Sequence, residues 1–454
     1  MLNRKRIVFT LVTLDVLSLA AAFNVVCWLR GIMVNDQLLI TPLLVPGLLL
    51  ILALYLIDGY KTQTNMVGLD YTSQHLIALS VALLATLIAT FVIIPVGYTL
   101  QQSRSMTILS FLLLMPVTLS YRRTLWNKIQ KLQRGRSLVF LGDRDSCLTF
   151  KLECEKQRLN LPLILCSTGD ITAEPAEGLE LHTFDQVLDQ LKNGGLEIQA
   201  LVLRESNREL TDELSNTLIG LYFSGVPTFT LELFHQTYWR KIPLYRLNQT
   251  WLFQEGFQIA REPVFERLKR ISDLILSSLG ILISLPVVAL AALVIKLEDG
   301  GPIFFRQNRI GRNRVPFPLF KLRTMSTTQG GDLYTQKNDS RITRIGGFLR
   351  TSRIDEIPQL LNVFRGEMSL IGPRAEWDKL VVGYEAKIPC YHFRHLVKPG
   401  ITGWAQINYP YGANLDDTLR KLEYDLYYIR HFSFVLDASI VLKTIHVMLF
   451  GKGR

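Results

Sequence analysis

At 454 residues the chain is longer than a single hydrophobic core usually organises, so two or three units are expected rather than one small domain. Fifty Lys and Arg against 39 Asp and Glu give a formal charge of +11, which favours phospholipid, nucleic acid or phosphorylated substrates without choosing among them. The five cysteines, Cys27, Cys147, Cys154, Cys166 and Cys390, form no C-x-x-C pair and offer no disulfide framework or thiolate metal site, as expected in a reducing cytosol.

The mean hydropathy of +0.21 is high for a soluble chain, and the excess lies in the first quarter. Four apolar stretches, 7–29, 38–57, 75–98 and 106–120, are each long enough or nearly so to cross a bilayer. The first follows Arg4, Lys5 and Arg6 but is too long for a signal-peptide core, and three more stretches follow it. Arg122, Arg123, Lys128, Lys131, Arg134 and Arg136 come after the fourth, whereas the loops near Arg30 and Arg104 carry little positive charge. The positive-inside rule then puts both ends of a four-span bundle, residues 1–122, at the cytoplasm.

From 137 the texture changes to short apolar runs, SLVFLG, LPLILC, IQALVLR and VPTFTL, separated by segments of helical character. That alternation predicts a cytosolic, Rossmann-like α/β domain with a mainly parallel sheet over 137–250. Its first strand ends in LGDRDSC, which keeps Gly142 but lacks the other glycines that let backbone approach a pyrophosphate. A regulatory or dimerising module is expected there, not a nucleotide site.

A fifth apolar run, Leu274–Ile295, carries no charge and has Pro286 near its middle. Arg267, Lys269 and Arg270 precede it, and Lys296, Arg306 and Arg309 follow it. Positive charge on both flanks predicts that both ends stay on one face, so a re-entrant helix over about 272–296 is expected, broken at Pro286 with Ser284 taking up a freed carbonyl. The alternative is a kinked spanning helix, which would strand everything after 296 on the outer face.

Seven cations lie between Lys296 and Arg323, against only Glu298 and Asp299. Anionic lipid accounts for scattered arginines beside a membrane helix. Lys321 and Arg323 differ: they flank Leu322 in a strand-like PLFKLRT and would share one face, an arrangement suited to a diphosphate. Next, Ile354, Ile357, Leu360, Leu361 and Phe364 recur at helical spacing, with Thr351 or Ser352 as N-cap and Asp355 and Glu356 in the first turn. Those two carboxylates fit equally well as partners of a helix dipole or as nucleophile and Mg²⁺ ligand in a phosphate site.

In order, the blocks KRISDLILSSLG, GPIFFRQNRIGRN, FKLRTM, RTSRIDEIPQLLNV, GEMSLIGPR, VKPGITGWAQI and KLEYDLYYI fill residues 264–454. This region resembles the catalytic domain of bacterial polyprenyl-phosphate sugar-1-phosphate transferases, the monotopic phosphoglycosyl transferases that begin exopolysaccharide and O-antigen assembly. The whole chain is similar to the large members of that family. The resemblance implies a mixed α/β catalytic domain on the cytoplasmic side of the bacterial inner membrane, acting on a UDP-sugar and undecaprenyl phosphate. Asp355 would attack the sugar-bearing phosphate with Mg²⁺ assistance, releasing UMP, and polyprenyl phosphate would then take the phosphosugar. Glu356 would hold metal, with Asp355, or handle protons; Lys321, Arg323 and Arg374 would clamp phosphate. Membrane lipid is an implied partner, nucleic acid is not, and a homodimer is a candidate assembly. Glucose or galactose is the sugar expected by analogy.

Two positions depart from the family pattern: Leu285 separates Ser284 from Pro286, where members place Ser directly before Pro, and Ala375 follows Arg374, where members have Pro. The competing classes are a glycosyltransferase that releases UDP and a non-catalytic scaffold of polysaccharide assembly; intact Asp355, Glu356 and Arg374 argue against the second. Leu415, Leu419, Leu422, Leu426 and Ile429 make an apolar stripe that fits either a membrane interface or core packing, and the tail from Phe432 to Phe450 is strongly apolar. His392 and His395 have no further ligand nearby in sequence and are expected to be structural.

Overall fold

The structure, a computed structural model, describes residues 4–31, 38–60, 66–94, 97, 99–132, 136–157, 159, 161–167, 180–192, 196–204, 212–244, 263–326, 341–409 and 414–450. It divides into two compact units, 1–135 and 136–454. Residues 245–262, which include the last of the 137–250 segment, lie outside the described residues.

In the first unit, α1 (Arg4–Leu29), α2 (Leu44–Leu56), α3 (Leu69–Ile88) and α4 (Arg104–Leu132) pack around Leu11, Phe23, Leu50, Leu54, Leu79, Phe111 and Leu114. Phe9, Trp28, Leu48 and Val92 point outward, as on helices that face lipid. Three of the four apolar stretches form helices long enough to span, 6–29, 71–93 and 104–129. The second does not: it gives only a short helix over 41–56. Pro42, Pro46 and Gly47 crowd its start, and Asp58, at φ 58°, turns the chain at its end. At 1.5 Å per residue its reach is about 24 Å, short of a bilayer core of about 30 Å.

Arg122, counted among the cations that follow the fourth stretch, is fully buried and pairs with Asp15 at 2.6 Å. It also donates to the Gly59 carbonyl at 2.6 Å, and Tyr60 donates to Asp15 at 2.7 Å. A charged group among apolar helices persists when paired in this way.

The second unit opens with β1 (Ser137–Gly142), α5 (Arg144–Lys156), β2 (Leu163–Ser167), β3 (Leu181–Thr183), α6 (Phe184–Lys192), β4 (Ile198–Leu203), α7 (Asp212–Phe223), β5 (Thr228–Thr230) and α8 (Leu231–Phe234). The strands form one wholly parallel sheet in the order β3-β2-β1-β4-β5, so the α/β region with a parallel sheet is present as expected. The lone Gly142 has a packing reason: a Cβ there would meet the Phe140 ring at 2.8 Å. Ile242 and Leu244 do not pack with this sheet but lie in the core of the C-terminal region with Tyr391, Trp404 and Leu422.

A buried charge network ties the two parts of this unit together. Glu153 of α5 receives Lys241 at 2.9 Å and Arg420 at 2.7 Å, and Lys241 also reaches Glu423 at 3.1 Å. Buried groups of opposite sign stay charged only when paired and hydrogen-bonded in this manner.

Then comes α9 (Pro263–Asp299), the fourth helix long enough to cross a membrane among the described residues. The chain is helical straight through Pro286, so the proline does not divide it into two helices as expected. Ser284 donates to the Ile281 carbonyl at 3.4 Å, one residue before the Leu282 carbonyl that a proline at 286 leaves without its helical donor. The remaining elements are the hairpin β6 (Phe304–Ile310) and β7 (Pro316–Leu322), then α10 (Arg344–Ser352), α11 (Gln359–Arg365), β8 (Ser369–Ile371), α12 (Asp378–Lys387), β9 (Gly400–Thr402), α13 (Trp404–Asn408), α14 (Leu415–Arg430) and α15 (Phe434–Phe450). The α14 stripe resolves as core packing: Leu422, Leu426 and Ile429 are buried, and only Leu415 is well exposed. Of the two histidines, His395 is buried and His392 exposed, and no cluster of three metal-ligating side chains occurs among the described residues.

Candidate active site

The segment that carries the two carboxylates is built differently from the expected single helix. Thr343 caps α10 by accepting from the Gly346 amide at 3.0 Å, and Gly346 lies so close to Thr324 that a Cβ would meet its carbonyl oxygen at 2.1 Å. Thr351 and Ser352 are not N-caps; their hydroxyls turn back to the Gly347 and Phe348 carbonyls and end α10. Arg353, left-handed at φ 61°, breaks the helix, and a single 3₁₀ turn over Ile354–Glu356 presents Asp355 and Glu356 ahead of α11, which starts after Pro358. The apolar periodicity was continuous across this break, because a turn of 3₁₀ helix keeps nearly the same spacing.

A buried asparagine fixes α11 to the hairpin. Asn362 donates to the Pro318 carbonyl at 2.7 Å and accepts from the Phe320 amide at 3.1 Å. Lys321, next on β7, is thereby set against the 3₁₀ turn, and its Nζ reaches Glu356 at 2.7 Å. Asn362→Ala would leave the buried Phe320 amide without an acceptor, at a cost of about 1–3 kcal/mol. A fall in Tm together with weakened turnover is the expected outcome in thermal unfolding and activity measurements.

Arg374 comes from the strap after β8. Gly400 donates to the Pro373 carbonyl at 2.9 Å, and a Cβ on Gly400 would meet the Gly372 amide nitrogen at 2.1 Å, so the two chains run in close contact. Buried Arg394, paired with Asp425 at 2.9 Å, donates to the Arg374 carbonyl at 2.9 Å. Held at its backbone, Arg374 brings its guanidinium to 3.8 Å from Glu356, and Arg353 stands 3.5 Å from the other carboxylate oxygen.

Three cations thus converge on Glu356. Burial alone would raise its carboxyl, but Lys321, Arg374 and Arg353 outweigh burial and hold it down at about 2. Asp355 is buried, and among the described residues it forms no hydrogen bond. Burial pushes its carboxyl above the usual carboxylate value; Lys321 opposes that and Glu356 adds to it. Burial likewise pulls the Lys321 ammonium below its usual value, with Glu356 pulling back.

Of the residues singled out in the sequence, Asp355, Glu356, Lys321 and Arg374 come together. Arg323 turns elsewhere: it is buried and its Nε donates to the Pro302 carbonyl at 2.6 Å, beside Gly301. Arg353, Arg350 and Arg309 were not anticipated. Arg350 acts on Asp355, with Nη1 buried and no hydrogen-bond partner for it among the described residues; Arg309 lies near Arg374 and Glu356 and donates to the Ala375 carbonyl at 3.1 Å. Their signal in sequence was the density of arginine around the two acids, which lipid binding explained as well.

Mg²⁺ takes one or two carboxylates, several waters and substrate phosphates rather than a dedicated protein cage, so the two acids fit it by donor type, while Lys321, Arg353 and Arg374 already occupy Glu356 and suit the phosphates instead. Asp355, with no hydrogen bond among the described residues, is the better placed of the two to take a cation.

The sequence profile of the bacterial sugar transferase family matches residues 264–451. The chain is 36% identical over 270 residues to the UDP-N-acetylgalactosamine-undecaprenyl-phosphate N-acetylgalactosaminephosphotransferase of Aeromonas hydrophila, covering 59% of this chain and 63% of that protein. It is 43% identical over 192 residues to the UDP-glucose:undecaprenyl-phosphate glucose-1-phosphate transferase of Escherichia coli K12, covering 41% of each. It is also 41% identical over 196 residues to the exopolysaccharide production protein PSS of Rhizobium leguminosarum bv. phaseoli, covering 41% of this chain and 98% of that protein. The chain therefore spans less than two thirds of the first two relatives and nearly the whole of the third. This protein belongs to the bacterial sugar transferase family.

Proposed function

We propose that the chain transfers a hexose-1-phosphate from a UDP-sugar to undecaprenyl phosphate, the first membrane step of exopolysaccharide or O-antigen synthesis. The observation that carries the reading is the Asp355–Glu356 pair: one acid with no hydrogen bond among the described residues, beside another locked among three cations. The activities named for the A. hydrophila and E. coli relatives support the same reaction class.

In the first step an oxygen of Asp355 attacks the sugar-bearing phosphorus, the bond to the bridging oxygen breaks, and UMP departs with that electron pair. In the second, an oxygen of undecaprenyl phosphate attacks the same phosphorus and Asp355 leaves as carboxylate, giving undecaprenyl diphosphate sugar. Lys321 and Arg374 hold the phosphate oxygens against an anionic nucleophile that they would otherwise repel. Arg323, engaged with the Pro302 carbonyl, supports the turn before β6 instead. Mg²⁺ held by Asp355 and Glu356 would add Lewis-acid neutralisation of the diphosphate charge. A carboxyl held at about 2 carries no proton to donate at neutral pH, so Glu356 serves as an anionic anchor, for the metal and for the cations.

Incubation of the purified protein with undecaprenyl phosphate and UDP-glucose, UDP-galactose or UDP-N-acetylgalactosamine tests the reading. UMP is the expected nucleotide product; UDP would make the enzyme a glycosyltransferase, and neither would leave the scaffold class.

The same reading gives turnover an acid limb. Asp355 reacts as the carboxylate, and its carboxyl titrates above the ordinary value near 3.8, so activity falls with pH earlier than an exposed Asp would dictate. Glu356, at about 2, adds no limb in the working range. A carboxylate that also holds Mg²⁺ titrates lower, so the acid limb is expected to move up as Mg²⁺ is made limiting in single-turnover profiles; a limb indifferent to Mg²⁺ would count against Asp355 as ligand and nucleophile together.

The catalytic region is proposed to face the cytoplasm of the inner membrane, with α9 entering and returning on that side and bending at Pro286 without ending. The basic flanks Arg267 to Arg270 and Lys296 to Arg309 support this orientation. Leu297→Cys in a cysteine-free chain is expected to react with a membrane-impermeant thiol reagent only from the cytoplasmic side; labelling from outside would establish a spanning helix. The 137–250 segment is proposed to be a Rossmann-like regulatory or dimerising module.

A further inference from the structure

Against the first turns of α9, away from Asp355, lies a cavity of about 30 Å³ lined by Lys269, Arg270, Arg312, Lys398, Glu266 and Asp273, with apolar walls behind them. Its acids are already engaged. Glu266 receives Arg312 at 3.2 Å, and Asp273 accepts from the Ser369 hydroxyl at 3.1 Å and the Leu370 amide at 3.0 Å. Three of its cations are engaged as well: Arg312 with Glu266, Arg270 with the Val363 and Phe364 carbonyls at 2.6 Å each, and Lys269 with Asp437. Lys398 stands apart, since among the described residues it forms neither a hydrogen bond nor an ion pair.

Four cations against Glu266, Asp273 and the more distant Asp437 leave a surplus of positive charge around a half-buried ammonium. Burial, Arg270 and Arg312 all pull the Lys398 ammonium below its usual value, while Asp273 opposes them. An anion in the cavity would relieve that tension, and a tetrahedral oxyanion can accept from an ammonium and a guanidinium at once. The cavity borders the helix just before its apolar run begins at Leu274, level with the membrane surface in the orientation proposed above.

We propose that this cavity binds a phosphate group, with Lys398 and Arg312 as its donors, supplied by an anionic lipid headgroup or by free phosphate. The site shares no residue with the Asp355 cluster. Its test reads lysine chemistry and not turnover, so its failure would leave the transfer reaction standing.

Full-length protein is treated with a neutral acetylating reagent, and modification at Lys398 is followed by peptide mass spectrometry. The arms are detergent alone, detergent with inorganic phosphate, phosphatidylcholine nanodiscs and phosphatidylglycerol nanodiscs. Protection of Lys398 by about fivefold is expected in the phosphate or the phosphatidylglycerol arm, the factor corresponding to one basic group near an anionic surface. Protection by inorganic phosphate in detergent assigns the site to a free anion, and protection by phosphatidylglycerol alone assigns it to a headgroup. Lys296, at the far end of α9, and Lys387 report general surface charge. Arg312→Gln, checked for an unchanged melting curve, should abolish the protection. The proposal is overturned if neither arm protects Lys398, if Lys296 and Lys387 are protected equally, or if Arg312→Gln keeps full protection.

Discussion

Asp355→Asn is expected to lower UMP release by about 10⁴-fold or more, the scale of loss when a covalent nucleophile is removed. The substitution keeps the shape of the side chain, and with no hydrogen bond to Asp355 among the described residues there is little for the fold to lose. Removing a buried acid whose carboxyl is pushed up also relieves a cost at neutral pH, so the melting temperature should hold or rise. Intact-mass analysis after mixing with UDP-sugar alone should show the phosphosugar adduct on the native chain and none on the variant. Undiminished UMP release, or an adduct that persists in Asp355→Asn, would remove Asp355 from the reaction centre.

The second large effect belongs to Glu356→Gln, for which a loss of about 10²–10³ in kcat is expected, the range seen when one electrostatic element of a preorganised site is deleted. Neutralising Glu356 releases Lys321, Arg374 and Arg353 from their shared counter-charge. Those cations then bind the diphosphate more tightly, so KM for the UDP-sugar should fall or stay level while kcat drops. The opposite split, a raised KM with an intact kcat, would make Glu356 a substrate-binding or packing residue. Stability has its own pH signature. A carboxyl depressed in the folded state stabilises the fold above its ordinary value near 4.5, and that contribution is lost as pH falls toward 2; Glu356→Gln should flatten this part of the curve.

Much of this architecture was legible because hydrophobic periodicity reports burial directly. The apolar stretches announced the long helices, and the alternation after 137 announced a parallel sheet. The short second helix was harder to see, since hydropathy counts apolar residues while Pro46 and the turn at Asp58 decide where a helix starts and stops. Asp355 and Glu356 stood out by type and setting, but their 3₁₀ turn did not: the break depends on Arg353 adopting a left-handed conformation that few side chains favour and no periodicity encodes. Arg323 shows the limit of strand alternation. It was read as sharing a face with Lys321, yet it follows the last residue of β7 and is drawn to the Pro302 carbonyl. Arg122 was counted simply with the cations after the fourth stretch, because its counter-ion, Asp15, lies more than a hundred residues away.

The buried network of Glu153, Lys241, Arg420 and Glu423 bears on how this chain can be dissected. A fragment beginning at 264 would retain Arg420 and Glu423 but lose Lys241, Ile242 and Leu244, stripping a cation and two plugs from the interior it keeps. Glu423 would keep Arg420, at 3.7 Å, but lose the closer Lys241, and breaking one contact of a buried charge network is destabilising. The Rhizobium relative, 98% of which aligns within 41% of this chain, shows that the family can be built at that length. Excision here would therefore produce a weakened fold, and any chimera that transplants this catalytic region must carry the 240–244 segment along or replace Glu423 with a neutral side chain.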